Sequence, residues 1–193
     1  MKYYNYLEDI FGSKVKIKII RTLSKFQDKK WTIRELANFN KMKHSVVIYA
    51  LKDLQDANLI NLEHHGKSNL IMLNKNSILN KVLRVFELET ETFKELVKDI
   101  KGMLDNRVAS CILFGSIVTK EERPSSDIDL LIITKNKRIV KDLINKRQKY
   151  FSEKYGNIIR PQIFTKKQFN KNMPFIKTIG KNYILITGED VLR

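Results

Sequence analysis

The sequence predicts an α+β chain of two domains joined by a long helix. Three patterns carry this expectation. Residues 13–75 follow a helix–helix–helix–hairpin pattern, and residues 77–104 form an apolar repeat with no Pro and no Gly before Gly102. From residue 107 onward, apolar strands alternate with helices. The expected boundaries are 1–76 for the first domain and 77–105 for the connecting helix. Residues 106–193 then form an α/β domain with a mixed sheet.

In the first domain, Ser13 is placed to cap a helix whose apolar positions Val15, Ile19, Ile20 and Leu23 recur at helical spacing. Thr32 and Glu35 form a T-x-x-E capping box that opens a second helix with Leu36 and Phe39, and Trp31 before it suits a hydrophobic staple. A third helix is expected from near Ser45, with Val47, Ala50, Leu51 and Leu54 as its apolar stripe. Asp56-Ala57-Asn58 supplies the turn that ends it. Two short strand-like runs, 59–62 and 70–73, flank the polar turn His64-His65-Gly66-Lys67. Adjacent histidines on a hairpin point to opposite faces, so His64 and His65 are expected to bind no metal.

The stretch SVVIYALKDLQDANLI resembles the recognition helix of winged-helix regulators and its exit into the wing. The resemblance implies a winged helix-turn-helix that binds double-stranded DNA, with the third helix in the major groove and the wing on the backbone or minor groove. On that basis Lys41, Lys43, His44, Ser45 and Tyr49 would face DNA, and Lys67 would sit at the wing tip. Winged helices also serve as dimerisation or protein-docking modules, so a protein partner stays open.

Composition agrees with a polyanionic partner. The chain of 193 residues carries a formal net charge of +16, spread through both halves, and counterion release favours such a surface on nucleic acid. The 42% hydrophobic and 30% charged content suits a soluble globular protein. No apolar run approaches the ~20 residues a membrane span needs, and MKYYNYLEDIFG has no signal-peptide pattern. A single cysteine, Cys111, forms no internal disulfide and fits a cytoplasmic location.

In the connecting helix Leu79, Leu83, Phe86, Thr90, Phe93, Val97, Ile100 and Leu104 alternate by four and three. This seam packs either on the chain's own domains or against a second copy. A homodimer is expected, because regulators of palindromic sites are usually two-fold.

The last domain should hold strands over 108–114, 128–134, 157–164 and 182–187, with a basic helix over 137–154 and another helix capped by Thr165. Cys111, inside the first of these strands, is expected to be an inert core residue. The informative segment is LFGSIVTKEERPSSDIDLLII. Gly115-Ser116 leaves one apolar strand, and Asp127-Ile128-Asp129 opens the next after ten residues. Residues i and i+2 of a strand share a face, so the two carboxylates project together and offer hard oxygen ligands to Mg²⁺. A Gly-Ser turn at a helix start offers amides and a hydroxyl to phosphate.

This G-S-x10-D-x-D pattern between apolar strands is similar to the signature of minimal nucleotidyltransferases in the DNA polymerase β superfamily. The resemblance implies Asp127 and Asp129 as metal ligands and catalytic residues, with Gly115 and Ser116 holding the phosphates of an NTP, ATP being the expected one. Lys120, within the intervening turn, is a further phosphate candidate. Active members also supply a third carboxylate from a later strand. The corresponding strand here, NIIRPQIF, has Arg160 and Gln162 as its polar side chains, and Gln162 stands about where that carboxylate is expected. No Asp or Glu lies between Glu153 and Glu189. Three readings follow: a transcriptional regulator with Mg²⁺–NTP as effector, an active adenylyltransferase of antitoxin type with a protein acceptor, or an interaction protein.

Overall fold

The structure, a computed structural model, describes residues 6–65, 68–74, 76–121, 126–180 and 182–193, and divides into two units, 1–91 and 92–193. The first unit begins with α1 (Tyr6–Phe11), α2 (Lys14–Lys25) and β1 (Trp31–Thr32). It continues with α3 (Ile33–Phe39), α4 (His44–Asp56), β2 (Ile60–His65) and β3 (Ser68–Leu73). The expected helix–helix–helix–hairpin pattern is therefore present, and a small antiparallel sheet of order β1-β3-β2 completes a winged helix-turn-helix.

Local chemistry explains where these helices stop and start. Thr32 and Glu35 close the expected capping box, the Thr32 amide donating to Glu35 Oε2 at 2.9 Å. At the far end of α3, the Lys41 amide donates to the Asn38 carbonyl and the Met42 amide to the Ala37 carbonyl. That double bond pattern places Lys41 at φ 54, a position glycine usually takes. Asn58, at φ 59, ends α4 the same way. Ser13 precedes α2, but its side chain makes no capping bond. Burial of Ile19, Ile20 and Leu23 holds that helix instead. The hairpin strands run longer than expected, with His64 inside β2 opposite Asn69.

Helix α5 (Ser77–Leu104) is continuous, as the repeat predicts. Leu79, Val82 and Phe86 pack into the core of the first unit. Leu96, Ile100, Met103 and Leu104 pack into a core of the second. The apolar seam thus contributes to both of the chain's own cores.

The second unit holds β4 (Ser110–Phe114), α6 (Ser116–Thr119), β5 (Ile128–Ile133) and α7 (Lys137–Tyr155). It closes with β6 (Ile159–Phe164), α8 (Pro174–Ile179) and β7 (Ile184–Gly188). The sheet order is β6-β5-β4-β7, with β5 and β6 parallel and β4 antiparallel to both β5 and β7. Such a mixed sheet is covered on both faces. Cys111, Leu113, Ile128, Leu130 and Ile132 share a core with Val140, Ile144 and Phe151 of α7, whereas Ile112, Leu131 and Ile133 share another with Ile176 and Ile179 of α8. Burial pushes the Cys111 thiol up to about 12, which matches an inert core residue. Thr165 caps a turn, not a helix: its hydroxyl accepts from the Gln168 amide, and α8 starts only at Pro174, a residue suited to a first helical turn. No helix among the described residues is long and apolar enough to cross a membrane.

Candidate functional site

The candidate nucleotide site lies where β4 ends beside the start of β5. Phe114 pairs with Asp129, so the next residue, Gly115, lies against the Asp129 side chain. Gly115 has φ 81 and ψ −159, a region that only glycine occupies readily. A Cβ there would also collide with the Asp129 carboxylate. Two independent constraints thus demand glycine. Ser116 opens α6, whose first internal bonds run from the Val118 and Thr119 amides to the Gly115 carbonyl. The Ser116 and Ile117 amides come before those bonds begin. Lys120 ends α6 in the left-handed conformation and is exposed.

Strand alternation sends Ile128, Leu130 and Ile132 into one core and leaves Asp129 on the other face with Leu131 and Ile133. Asp127, one residue before the strand, is half-buried. Burial raises the Asp129 pKa, Arg160 opposes the rise, and the neighbouring Asp127 charge adds to it. The Asp127 charge therefore bears on Asp129, and a bound cation would relieve that repulsion.

A further residue joins the site, one that the motif does not contain. Across the parallel β5–β6 ladder Asp129 stands beside Arg160, while Gln162 stands beside Leu131. Gln162, expected about where a third carboxylate would stand, therefore lies two residues further along β6 than the residue beside Asp129. The residue beside Asp129 is Arg160, with Nη1 3.7 Å from Asp127 Oδ2. Its position is fixed from behind. The Gln148 side chain of α7 accepts from the Ile159 amide at 2.8 Å and donates to the Ile159 carbonyl at 2.6 Å. The Asn157 side chain also donates to the Ser126 carbonyl, and the Ile128 amide to the Ile158 carbonyl. Parity along NIIRPQIF is visible in sequence, but the register that selects Arg160 comes from these long-range bonds.

Glu189 and Asp190 do not return to the site. Gly188 pairs with Ser110, at the end of β4 away from Gly115, and the Glu189 amide donates to the Ala109 carbonyl. Asp190 accepts from the Tyr183 hydroxyl at 3.0 Å. Among the described residues, no group of three His, Cys, Asp or Glu side chains could hold a metal. The pair that remains still fits a hard cation, since Mg²⁺ is commonly held by one or two carboxylates with phosphate oxygens and water completing its shell.

In the first unit, Lys41, Lys43, His44, Ser45 and Tyr49 are placed at the start of α4 and along it. Lys41, His44 and Ser45 are exposed, and Tyr49 is 74% exposed. Lys43 precedes α4, and His44 and Ser45 lie in its first turn. Lys67 lies outside the described residues. Lys52 is a further candidate, exposed on the same face as Ser45 and Tyr49 and opposite the buried Val47, Leu51 and Leu54. Its spacing from Tyr49 is helical, so the signal is present in the sequence.

Residues 98–191 match the family described as polymerase beta, nucleotidyltransferase. A 78-residue stretch is 36% identical to a Methanocaldococcus jannaschii protein named putative protein adenylyltransferase, and spans 39% of this chain and 79% of that one. The chain belongs to the polymerase β nucleotidyltransferase family. Two winged-helix structures are also similar. Reduced HlyU from Vibrio cholerae is 15% identical with a TM-score of 0.37, over 42% of this chain and 80% of that one. A homodimeric winged helix-turn-helix DNA-binding domain from Mycobacterium bovis is 10% identical with a TM-score of 0.38, over 47% and 83%. At that level of likeness, the winged helix-turn-helix stands on the element order and register of the first unit itself.

Proposed function

We propose that this chain is a DNA-binding transcriptional regulator whose nucleotidyltransferase-family unit binds Mg²⁺–ATP, or another NTP, as an effector. The observation that carries the reading is Arg160, a cation beside Asp127 and Asp129 where transfer chemistry needs a further carboxylate. Asp127 and Asp129 would hold the metal, which would supply charge neutralisation for the triphosphate. Gly115 leaves room for the phosphates, and Ser116 and Lys120 are the candidates to bind them. Nucleotidyl transfer would require a group to take the proton of an attacking hydroxyl, and neither Arg160 nor Gln162 can accept one. In the first unit, Lys41 and Lys43 would contact phosphate, while His44, Ser45 and Tyr49 approach base edges. A homodimer belongs to this reading; Val85 of α5, 47% exposed, is an apolar side chain outside the core seam.

The alternative is an active adenylyltransferase with a protein acceptor, favoured by the name of the M. jannaschii relative. One experiment separates the two. Pure protein is incubated with Mg²⁺ and labelled ATP, with and without cell extract. The effector reading expects ATP to change the melting temperature without labelling any protein; a labelled band that needs Asp127 and Asp129 would establish transfer.

A further inference from the structure

We propose that Arg160 is itself a ligand for the nucleotide phosphates and replaces a second metal ion, so that the site works with one divalent cation. This rests on the nucleotide-site reading above. Two-metal sites pair their cations across the transferring phosphate. With two carboxylates, one guanidinium and one divalent cation carry the same formal balance as two divalent cations with three carboxylates. Arg160 thus restores the charge that a missing carboxylate and a missing cation would remove together.

Geometry agrees with the charge argument. Arg160 stands in register with Asp129, and its side chain is 68% exposed, so the guanidinium is open on the side that solvent and ligand reach. A 3.7 Å separation from Asp127 is a loose ion pair, without the short contact of a bidentate one. The planar fork of arginine matches phosphate, and this loose pair can be exchanged for it when a cation takes Asp127. The backbone behind it is clamped by Gln148 on both sides of Ile159. A residue held this firmly at its base and this freely at its tip is suited to binding an incoming anion. While it rests on Asp127, Arg160 competes with metal there.

The test uses the full chain, Mn²⁺ as a spectroscopic probe, and α,β-methylene-ATP, which cannot transfer its nucleotide. Wild type should hold one Mn²⁺ per bound nucleotide. Arg160→Ala should bind the nucleotide about tenfold more weakly, the weakening expected when one charged hydrogen-bonding partner is removed. The same variant should bind Mn²⁺ alone no more weakly than wild type, because Asp127 is released. Arg160→Asp should raise the count to two Mn²⁺ per nucleotide. Arg160→Gln serves as a second neutral variant, and melting without ligand checks that each has folded. Unchanged nucleotide affinity in both neutral variants, or two Mn²⁺ per nucleotide in wild type, would overturn the proposal while leaving the site reading intact. If wild type takes up no nucleotide with Mn²⁺, the site reading itself falls, and this inference with it.

Discussion

The two units present their candidate functional residues in opposite ways. In the winged helix-turn-helix, Lys41, Lys43, His44, Ser45 and Tyr49 are spaced along one turn and one helix, and most of them are open to solvent. In the second unit, Gly115, Asp127, Asp129 and Arg160 are drawn from three separate strand ends and press on one another. The first arrangement is an open surface, suited to an extended polyanion whose charge is spread out. The second is a small, partly buried site where burial and neighbouring charges shift Asp129, suited to a compact ligand and a metal. Single substitutions should therefore act weakly and additively in the first unit and sharply in the second.

The largest effects should come from the shared helix, and they test whether its seam belongs to the two cores. Leu79 and Leu104 are fully buried at opposite ends of α5. Each replaced by Ala should cost about 2–5 kcal/mol in denaturant unfolding. A small cost accompanied by a change in sedimentation would instead mean that the seam serves a second copy. Gly115→Ala comes next, because it must strain the backbone and displace Asp129. An unfolding cost of about 1–3 kcal/mol is expected from the strain, and Mg²⁺–ATP should no longer stabilise the variant. Retention of that response would show that Asp129 need not sit against residue 115.

Lys41→Ala with Lys43→Ala should weaken DNA binding across sequences and lower the salt slope by about one unit for each phosphate that is no longer neutralised. Binding at low salt with an unchanged slope would remove these lysines from the interface. The smallest effect concerns Asp99 of α5. Burial pushes its pKa up, but hydrogen bonds from Tyr155, Tyr150 and Lys154 outweigh burial and hold it at about 2. A depressed carboxylate stabilises the fold above its unfolded pKa, and that contribution fades as the pH falls toward 2. Asp99→Ala should cost about 1 kcal/mol near neutral pH, since the ion pair is only partly buried. The cost should shrink in acid; a pH-independent difference would point to packing instead.

What was legible in the sequence divides along the same line. Periodicity marked α2, α3, α4 and α5 because each buries a stripe, and the Gly-Ser and Asp-x-Asp spacing marked the site because both pieces lie close in sequence, at the end of β4 and the start of β5. Capping was less legible. Thr32 caps as expected, but Ser13 and Thr165 do not cap helices, since a hydroxyl can bond within a turn instead. The short elements α1, β1 and α6 carry too few residues for any period to show. Arg160 needed the β5–β6 register, which depends on Gln148 and Asn157 reaching across sequence gaps of 11 and 31 residues. Local pattern holds no trace of such long-range bonds.

The central claim is that the second unit binds a metal–nucleotide complex through Asp127 and Asp129 while the first unit binds DNA independently of them. Thermal unfolding with ATP, with and without Mg²⁺, tests it most directly when wild type is compared with the Asp127→Asn, Asp129→Asn double variant. Mass action on the folded state should raise the wild-type Tm only when both ATP and Mg²⁺ are present. The double variant should show no shift yet retain wild-type DNA affinity in a parallel titration. A shift that needs no Mg²⁺, or one that survives in the double variant, would contradict the account.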